Sequence, residues 1–294
     1  MSVEYTVEDV DTHISAAVAE AVCNLHNRIF SGVDTSYIHE VFEEVEQMFL
    51  GHYQDYQAID TSYHDLEHTL QATLCFIRLI TLRQLRGTEP LISANHFRIG
   101  LHAILLHDVG YLKKANDDEG TGAKFTFIHE RRSCELAGEY LKDKGWNDQD
   151  IETVKHLISC TGPRSEIDNI PFIGEIEQML GKAVCTADYL GQMSDPNYVS
   201  KLPVLYDEFE ESDDYRGVPR EKRIFKSVED LLNATPFFWE KIVLPKLETD
   251  CAGLYRHLQT GKSSRSNPYI CKIEENIQVI RALSSEILEK LKAV

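Results

Sequence analysis

Apolar residues along this chain recur three and four positions apart, with polar residues between them, and sustained alternation is rare. That period lays the apolar side chains along one stripe of a helix. It predicts helices over about 7–30, 35–49, 65–86, 92–107, 129–144, 148–160, 174–192, 197–211, 227–258 and 268–292. β-Branched runs joined by Asn-Gly or Asp-Gly turns, the mark of hairpins, are missing. Gly145, Gly162-Pro163 and Asn267-Pro268 fall where helices should stop or restart. The expected fold is all-α, a single helical bundle with no internal repeat. Residues 1–58 are expected to pack as N-terminal helices on a main unit spanning 59–258. Within 259–294, the stretch QTGKSSRSN (259–267) is expected to connect flexibly to a last amphipathic helix. The least regular stretches are 113–128 and 212–226.

Composition sharpens this picture. At 294 residues and 43% hydrophobic content the chain can bury a sizeable core. No run of about 18 apolar residues occurs, and the beginning, MSVEYTVEDVD, is acidic, so neither a membrane span nor a secretory leader is expected. A soluble, cytoplasmic protein is the resulting expectation. The seven cysteines (23, 75, 134, 160, 185, 251, 271) are scattered and form no CxxC pair, which fits reduced core residues better than disulfides or a zinc-thiolate site. The formal net charge of −18 argues against nucleic-acid and anionic-membrane partners. An anionic small-molecule substrate would need a local source of positive charge. The sequence sets no oligomeric state.

A set of imidazoles and carboxylates interrupts the apolar stripes. The segment YHDLEH places His64 and His68 four residues apart, on one face if it opens a helix. LLHDVGYL puts His107-Asp108 at the end of a strongly apolar helix, where a buried charge must be paired or bound to metal. His129 opens HERRSCELAGEYL, His156 lies in VKHLISC, and Asp188 follows KAVCTA. Taken singly, each is an ordinary core or capping residue. Taken in order, His68, His107, Asp108, His129, His156 and Asp188 make a nitrogen and oxygen donor set without thiolates, suited to two divalent ions inside a helical bundle. Two such ions would also hold a phosphate within an acidic protein.

This ordered set resembles the HD-domain metal-dependent phosphohydrolase superfamily, which includes cyclic-nucleotide phosphodiesterases and HD-GYP proteins. The resemblance covers roughly residues 60–250 and implies an HD-type helical bundle with a dinuclear centre in its core. By it, His68, His107, Asp108 and Asp188 hold one ion, Asp108 bridges, and His129 and His156 complete the second site. The ions could be iron, manganese, zinc, nickel or magnesium. YHDLEH is similar to the phosphodiesterase YHNxxH element, which makes His64 the general acid for the leaving alkoxide. TADYLGQMSDP and LYDEFEESDD resemble the pattern after the last metal Asp, and FFWEKIVLPKLE resembles the late helix whose base-stacking Phe falls on Phe238. Two departures bear on specificity. The purine-reading Gln of those enzymes falls on Thr235, whose hydroxyl cannot offer an amide's paired donor and acceptor. After His156 the chain reads CTGPRSEI, without a GYP triplet.

The expected activity is hydrolysis of a phosphomonoester or phosphodiester, nucleotide-like in character, by attack of a hydroxide bridging two metal ions, with Asp108 central to that machinery. The alternatives are a mixed-valence di-iron oxygenase of the same superfamily, inositol oxygenase being one, and a non-catalytic nucleotide-sensing module. Among basic residues near the motifs (Lys113, Lys114, Lys124, Arg131, Arg132, Arg164), Lys124 and Arg164 are the candidates for phosphate binding. The 113–128 loop, containing DDEGTGAKF, is the candidate lid.

Overall fold

The helical stripes read from the sequence form eleven α-helices in the computed structural model, which describes residues 9–260 and 267–292. These are α1 (Ser15–Ile29), α2 (Ser36–Phe49), α3 (Leu66–Leu85), α4 (Ala94–Leu105), α5 (His129–Asp143) and α6 (Asp148–Ile158), followed by α7 (Glu175–Met193), α8 (Tyr198–Tyr215), α9 (Val228–Phe238), α10 (Leu244–Glu248) and α11 (Pro268–Lys292). Among the described residues there is no β-strand, only an isolated bridge between Tyr56 and Lys114. The all-α expectation holds.

Two boundaries differ from the periodicity, each for a local reason. The first helix begins at Ser15 instead of near residue 7, because the Asp11 carboxylate accepts the His13 N–H at 3.0 Å and holds a turn in place of a helical one. The stretch 227–258 is interrupted: a wide π-type turn at Trp239–Val243 precedes Pro245, which lacks an N–H for the carbonyl one turn back. Its last α-helix ends at Glu248, and Ala252 and Gly253 turn left-handed before a 3-10 turn at Leu254–Leu258. The connection at 259–267 falls largely outside the described residues.

One continuous apolar core runs from Val18 of α1 to Ile280 of α11. Helix α3 lies at its centre, buried on nearly every side from His68 to Arg83, and packs against α1, α4 and α7. Leucine, isoleucine, phenylalanine and alanine supply most of its buried surface, and threonines and two arginines are buried with them. The α3 and α7 backbones approach closely because Gly191 carries no side chain: a Cβ there would lie 2.8 Å from the Ala72 backbone. That approach sets His68 of α3 beside Asp188 of α7. Helix α11 docks on α7, α8 and α9 through Ile273, Ile277 and Ile280, and the Asn276 amide donates to the carbonyls of Met193 and Asp195 at 2.9 Å each. All seven cysteines are free thiols, six of them buried. Among the described residues no helix is long and apolar enough to cross a membrane.

Candidate metal centre and active site

Helix α3 starts where it does because Asp65 caps it, accepting the His68 N–H at 2.8 Å. His68 therefore sits in the first turn with its ring buried, and His64 lies before the helix instead of within it. The two rings still meet edge to face, 5.5 Å between centroids at 81°. Helix α4 ends at Leu105, and His107 and Asp108 occupy the turn beyond it, both buried. The chain then makes a short 3-10 turn, Val109–Tyr111, that is locked to α5: Ser133 Oγ accepts the Gly110 N–H at 2.8 Å, and Arg132 donates to the carbonyls of Gly110 and Leu112, both at 2.7 Å. A Cβ on Gly110 would lie 2.1 Å from the His129 carbonyl oxygen and 2.7 Å from the Ser133 nitrogen.

These elements bring five of the six expected ligands together. His68 Nε2 lies 3.2 Å from Asp108 Oδ2 and 3.4 Å from Asp188 Oδ1. His107 Nε2 lies 3.3 and 3.6 Å from the same two oxygens. The other oxygen of Asp108, Oδ1, faces His129 Nε2 at 3.5 Å. Asp108 thus stands between the His68 and His107 pair on one side and His129 on the other, one oxygen toward each side. His107 and His129 are oriented alike, each donating Nδ1–H to the backbone carbonyl three residues earlier (Ile104 and Thr126, both at 2.7 Å), which leaves Nε2 directed into the site. The sixth expected ligand, His156, packs its ring against Phe172, 6.0 Å between centroids, and is not among the residues lining the cavity beside the cluster. Glu130 lines that cavity instead.

The donor set fits a divalent ion. Ligand atoms of His68, His107 and Asp188 all lie within 4.8 Å of one another, and all three residues are buried. His107 Nε2 and Asp108 Oδ2 are buried without a hydrogen-bond partner, an arrangement that costs free energy unless something accepts their lone pairs. Protons show the same demand for positive charge. Burial disfavours a charged His68, yet the adjoining Asp108 and Asp188 carboxylates push it up to about 10. His107 is likewise raised, against its burial, by the same two carboxylates. Burial opposes ionisation of Asp108 and Asp188, but the imidazoles hold both below the usual carboxylate range.

The sign of the pH dependence follows. A histidine raised from 6.5 to about 10 stabilises the metal-free fold fully below pH 6.5 and loses that contribution as pH rises toward 10. The lowered carboxylates contribute above 3.8 and lose their contribution as pH falls well below it. Chelator-stripped protein is therefore expected to be most stable between about pH 4 and 6.5, with its melting temperature declining toward pH 10. Manganese should abolish the alkaline decline and release protons on binding. Thermal unfolding across pH, with and without the ion, measures this; a flat profile in the stripped protein from pH 6.5 to 9.5 contradicts it.

Beside the cluster opens a cavity of about 370 Å³. His64 stands on its wall with Nδ1 2.6 Å from Glu208 Oε2, while Glu208 Oε1 accepts the Tyr63 N–H at 2.6 Å. The carboxylate holds the proton on Nδ1, fixes the ring and leaves Nε2 free to exchange a proton. Both His64 and His129 stack on Tyr111, 4.6 Å between centroids in each case. Phe238 and the exposed Arg164 also line it, the Arg164 guanidinium 5.5 Å from the Phe127 ring centroid.

Lys124 does not line the cavity, because its ammonium is buried between the Asp117 carboxylate and the Glu119 carbonyl. Lys113 pairs with Asp60, Lys114 with Asp55, and Arg132 holds the turn after Asp108. Arg131 is exposed. The 113–128 segment is tied down instead of free to act as a lid: Gln57 donates to the carbonyls of Lys114 and Asp117, and Thr121 donates to Glu211.

Comparison with known proteins places this geometry in context. The family model described as Npun_R2479-like matches residues 150–276, a span that includes Asp188, Glu208 and Phe238 but not His68 or His107. No curated protein matches the chain in sequence. Among solved structures, the phosphodiesterase domain of the RhoPDE fusion protein from the choanoflagellate Salpingoeca rosetta aligns over 99% of this chain and 96% of that one, with a TM-score of 0.57 and 15% identity. At that identity the likeness is one of fold: the chain has the helical fold of a phosphodiesterase domain, with a buried His-His-Asp cluster inside it.

Proposed function

We propose that this protein is an HD-type metal-dependent phosphohydrolase acting on a phosphomonoester or phosphodiester. The observation that carries the reading is Asp108, buried, with one oxygen among His68 and His107 and the other toward His129. On this reading His68, His107, Asp108 and Asp188 hold one divalent ion, and Asp108 with His129 borders a second. His156 takes no part. Residues 59–258 form the catalytic unit, with the N-terminal helices packed on it and 259–294 as linker and last helix.

Bound there, divalent ions supply the charge that neutralises phosphoryl oxygens and acidifies a water molecule. The chain's own residues do the rest. His64, oriented by Glu208, gives the Nε2 proton to the departing oxygen. Arg164 adds positive charge to the cavity lining. The bundle walls exclude bulk water from the reacting phosphorus. Elemental analysis of purified protein, followed by a phosphoester panel with manganese, tests the reading. Two bound ions at most and ester hydrolysis are expected. Oxygen uptake by the iron-loaded protein with a polyol or a phosphonate, without ester hydrolysis, overturns it in favour of an oxygenase.

A further inference from the structure

We infer, resting on that hydrolytic reading, that the cavity is built for a phosphoester of an apolar alcohol, an aryl or alkyl group, and not for one bearing a purine base. The cavity lining includes the apolar side chains of Leu202, Leu205, Phe209, Phe225, Leu231 and Phe238. Two of the polar side chains in the lining, Thr235 and Gln192, are already engaged. The Thr235 hydroxyl donates to the Leu231 carbonyl at 2.8 Å and is buried. The Gln192 amide donates to the Asp188 carbonyl and carboxylate at 3.2 and 3.1 Å, while its oxygen accepts from the Tyr63 hydroxyl at 2.9 Å. Tyr111 and Tyr189 bring hydroxyls without a partner, but a hydroxyl lacks the adjacent donor and acceptor that an amide offers to a base edge.

A base entering this wall would leave its ring nitrogens and exocyclic groups unpaired, whereas a hydrocarbon leaves nothing unpaired. The apolar surface also continues outward, since Ile224 belongs to the cavity lining and is 60% exposed at its rim. An alkyl group longer than the cavity therefore has an apolar path to follow. The reaction is balanced by water alone: oxygen from water joins phosphorus, the bond from phosphorus to the organic oxygen breaks, and that oxygen leaves as the alcohol with the proton from His64. A monoester yields inorganic phosphate.

Kinetics of the full-length, manganese-loaded protein on methyl, butyl, hexyl and 1-naphthyl phosphates, with adenosine and guanosine 3′,5′-cyclic monophosphates alongside, test this. The expected result is a kcat/KM that rises about fourfold per methylene until the wall is filled. Naphthyl phosphate should exceed either cyclic nucleotide by at least about tenfold. A flat alkyl series, or cyclic nucleotides cleaved as well as naphthyl phosphate, overturns the inference while leaving phosphohydrolase activity intact. Hydrolysis of no ester at all overturns the hydrolytic reading instead. The wall is then read by binding: by calorimetry, naphthylmethylphosphonate should bind at least about tenfold more tightly than methylphosphonate, and equal affinities overturn the inference. Ala234→Phe, which narrows the wall, should lower the naphthyl-to-methyl ratio in either measurement; an unchanged ratio counts against it.

Discussion

An Asp108→Asn protein is expected to fold, to lose most of its bound metal and to lose at least about 10³-fold in kcat/KM, the equivalent of about 4 kcal/mol. The carboxylate is buried, touches imidazoles on two sides and has one oxygen without a hydrogen-bond partner. An amide keeps the shape but removes a full negative charge from a low-dielectric site. Its NH₂ group also presents donors where lone pairs are needed. Elemental analysis, circular dichroism and turnover measured on one preparation separate loss of metal from loss of fold. A folded variant that retains both metal and turnover would remove the central support for the proposed function.

The second large effect is expected at His64, and it should depend on the leaving group. His64→Ala should keep the metal content of the parent, since the ring touches Glu208 and Tyr111 and no carboxylate of the cluster lies within its ion-pair contacts. Turnover of an alkyl phosphate should fall about 10²–10⁴-fold, the range for a missing general acid. Turnover of p-nitrophenyl phosphate, whose leaving group needs no proton, should fall much less. Glu208→Gln should act in the same direction more weakly, because an amide can still accept from the ring but holds it less firmly than a carboxylate. Equal losses on both esters would mean that His64 serves position or fold and not proton transfer.

The sequence carried more of the fold than of the wiring within the site. Period and punctuation located ten helical stretches, and the His107-Asp108 pair was legible because a charged dipeptide closes an otherwise apolar helix. Glu208 was not. It stands 144 residues from the histidine it holds, within an acidic run where Asp207, Glu210 and Glu211 look alike. Its only signal was spacing: three after Leu205 and four before Ser212, it falls on the inward stripe of α8. Lys124 misled for the opposite reason. A lysine in an acidic loop is claimed by the nearest carboxylate, here Asp117 seven residues away, before any substrate can reach it. Order along the chain does not say how far a helix rotates, and α6 packs the His156 ring against Phe172. Purine specificity, put in doubt by Thr235, fares no better in the folded site, where the hydroxyl is tied to its own helix.

The bare Cα of Gly110 has a consequence for how this site can vary over time. The turn carrying Asp108 and the helix carrying His129 touch main chain to main chain at that position, with no side chain between them to shrink or grow. The separation between the two halves of the cluster is thus inherited from backbone contact. Substitutions throughout the surrounding core can accumulate without retuning it, whereas a single methyl group at position 110 would pry the halves apart. Variation in such a molecule is free to reshape the apolar lining of the cavity, while the spacing of the imidazole and carboxylate cluster stays fixed.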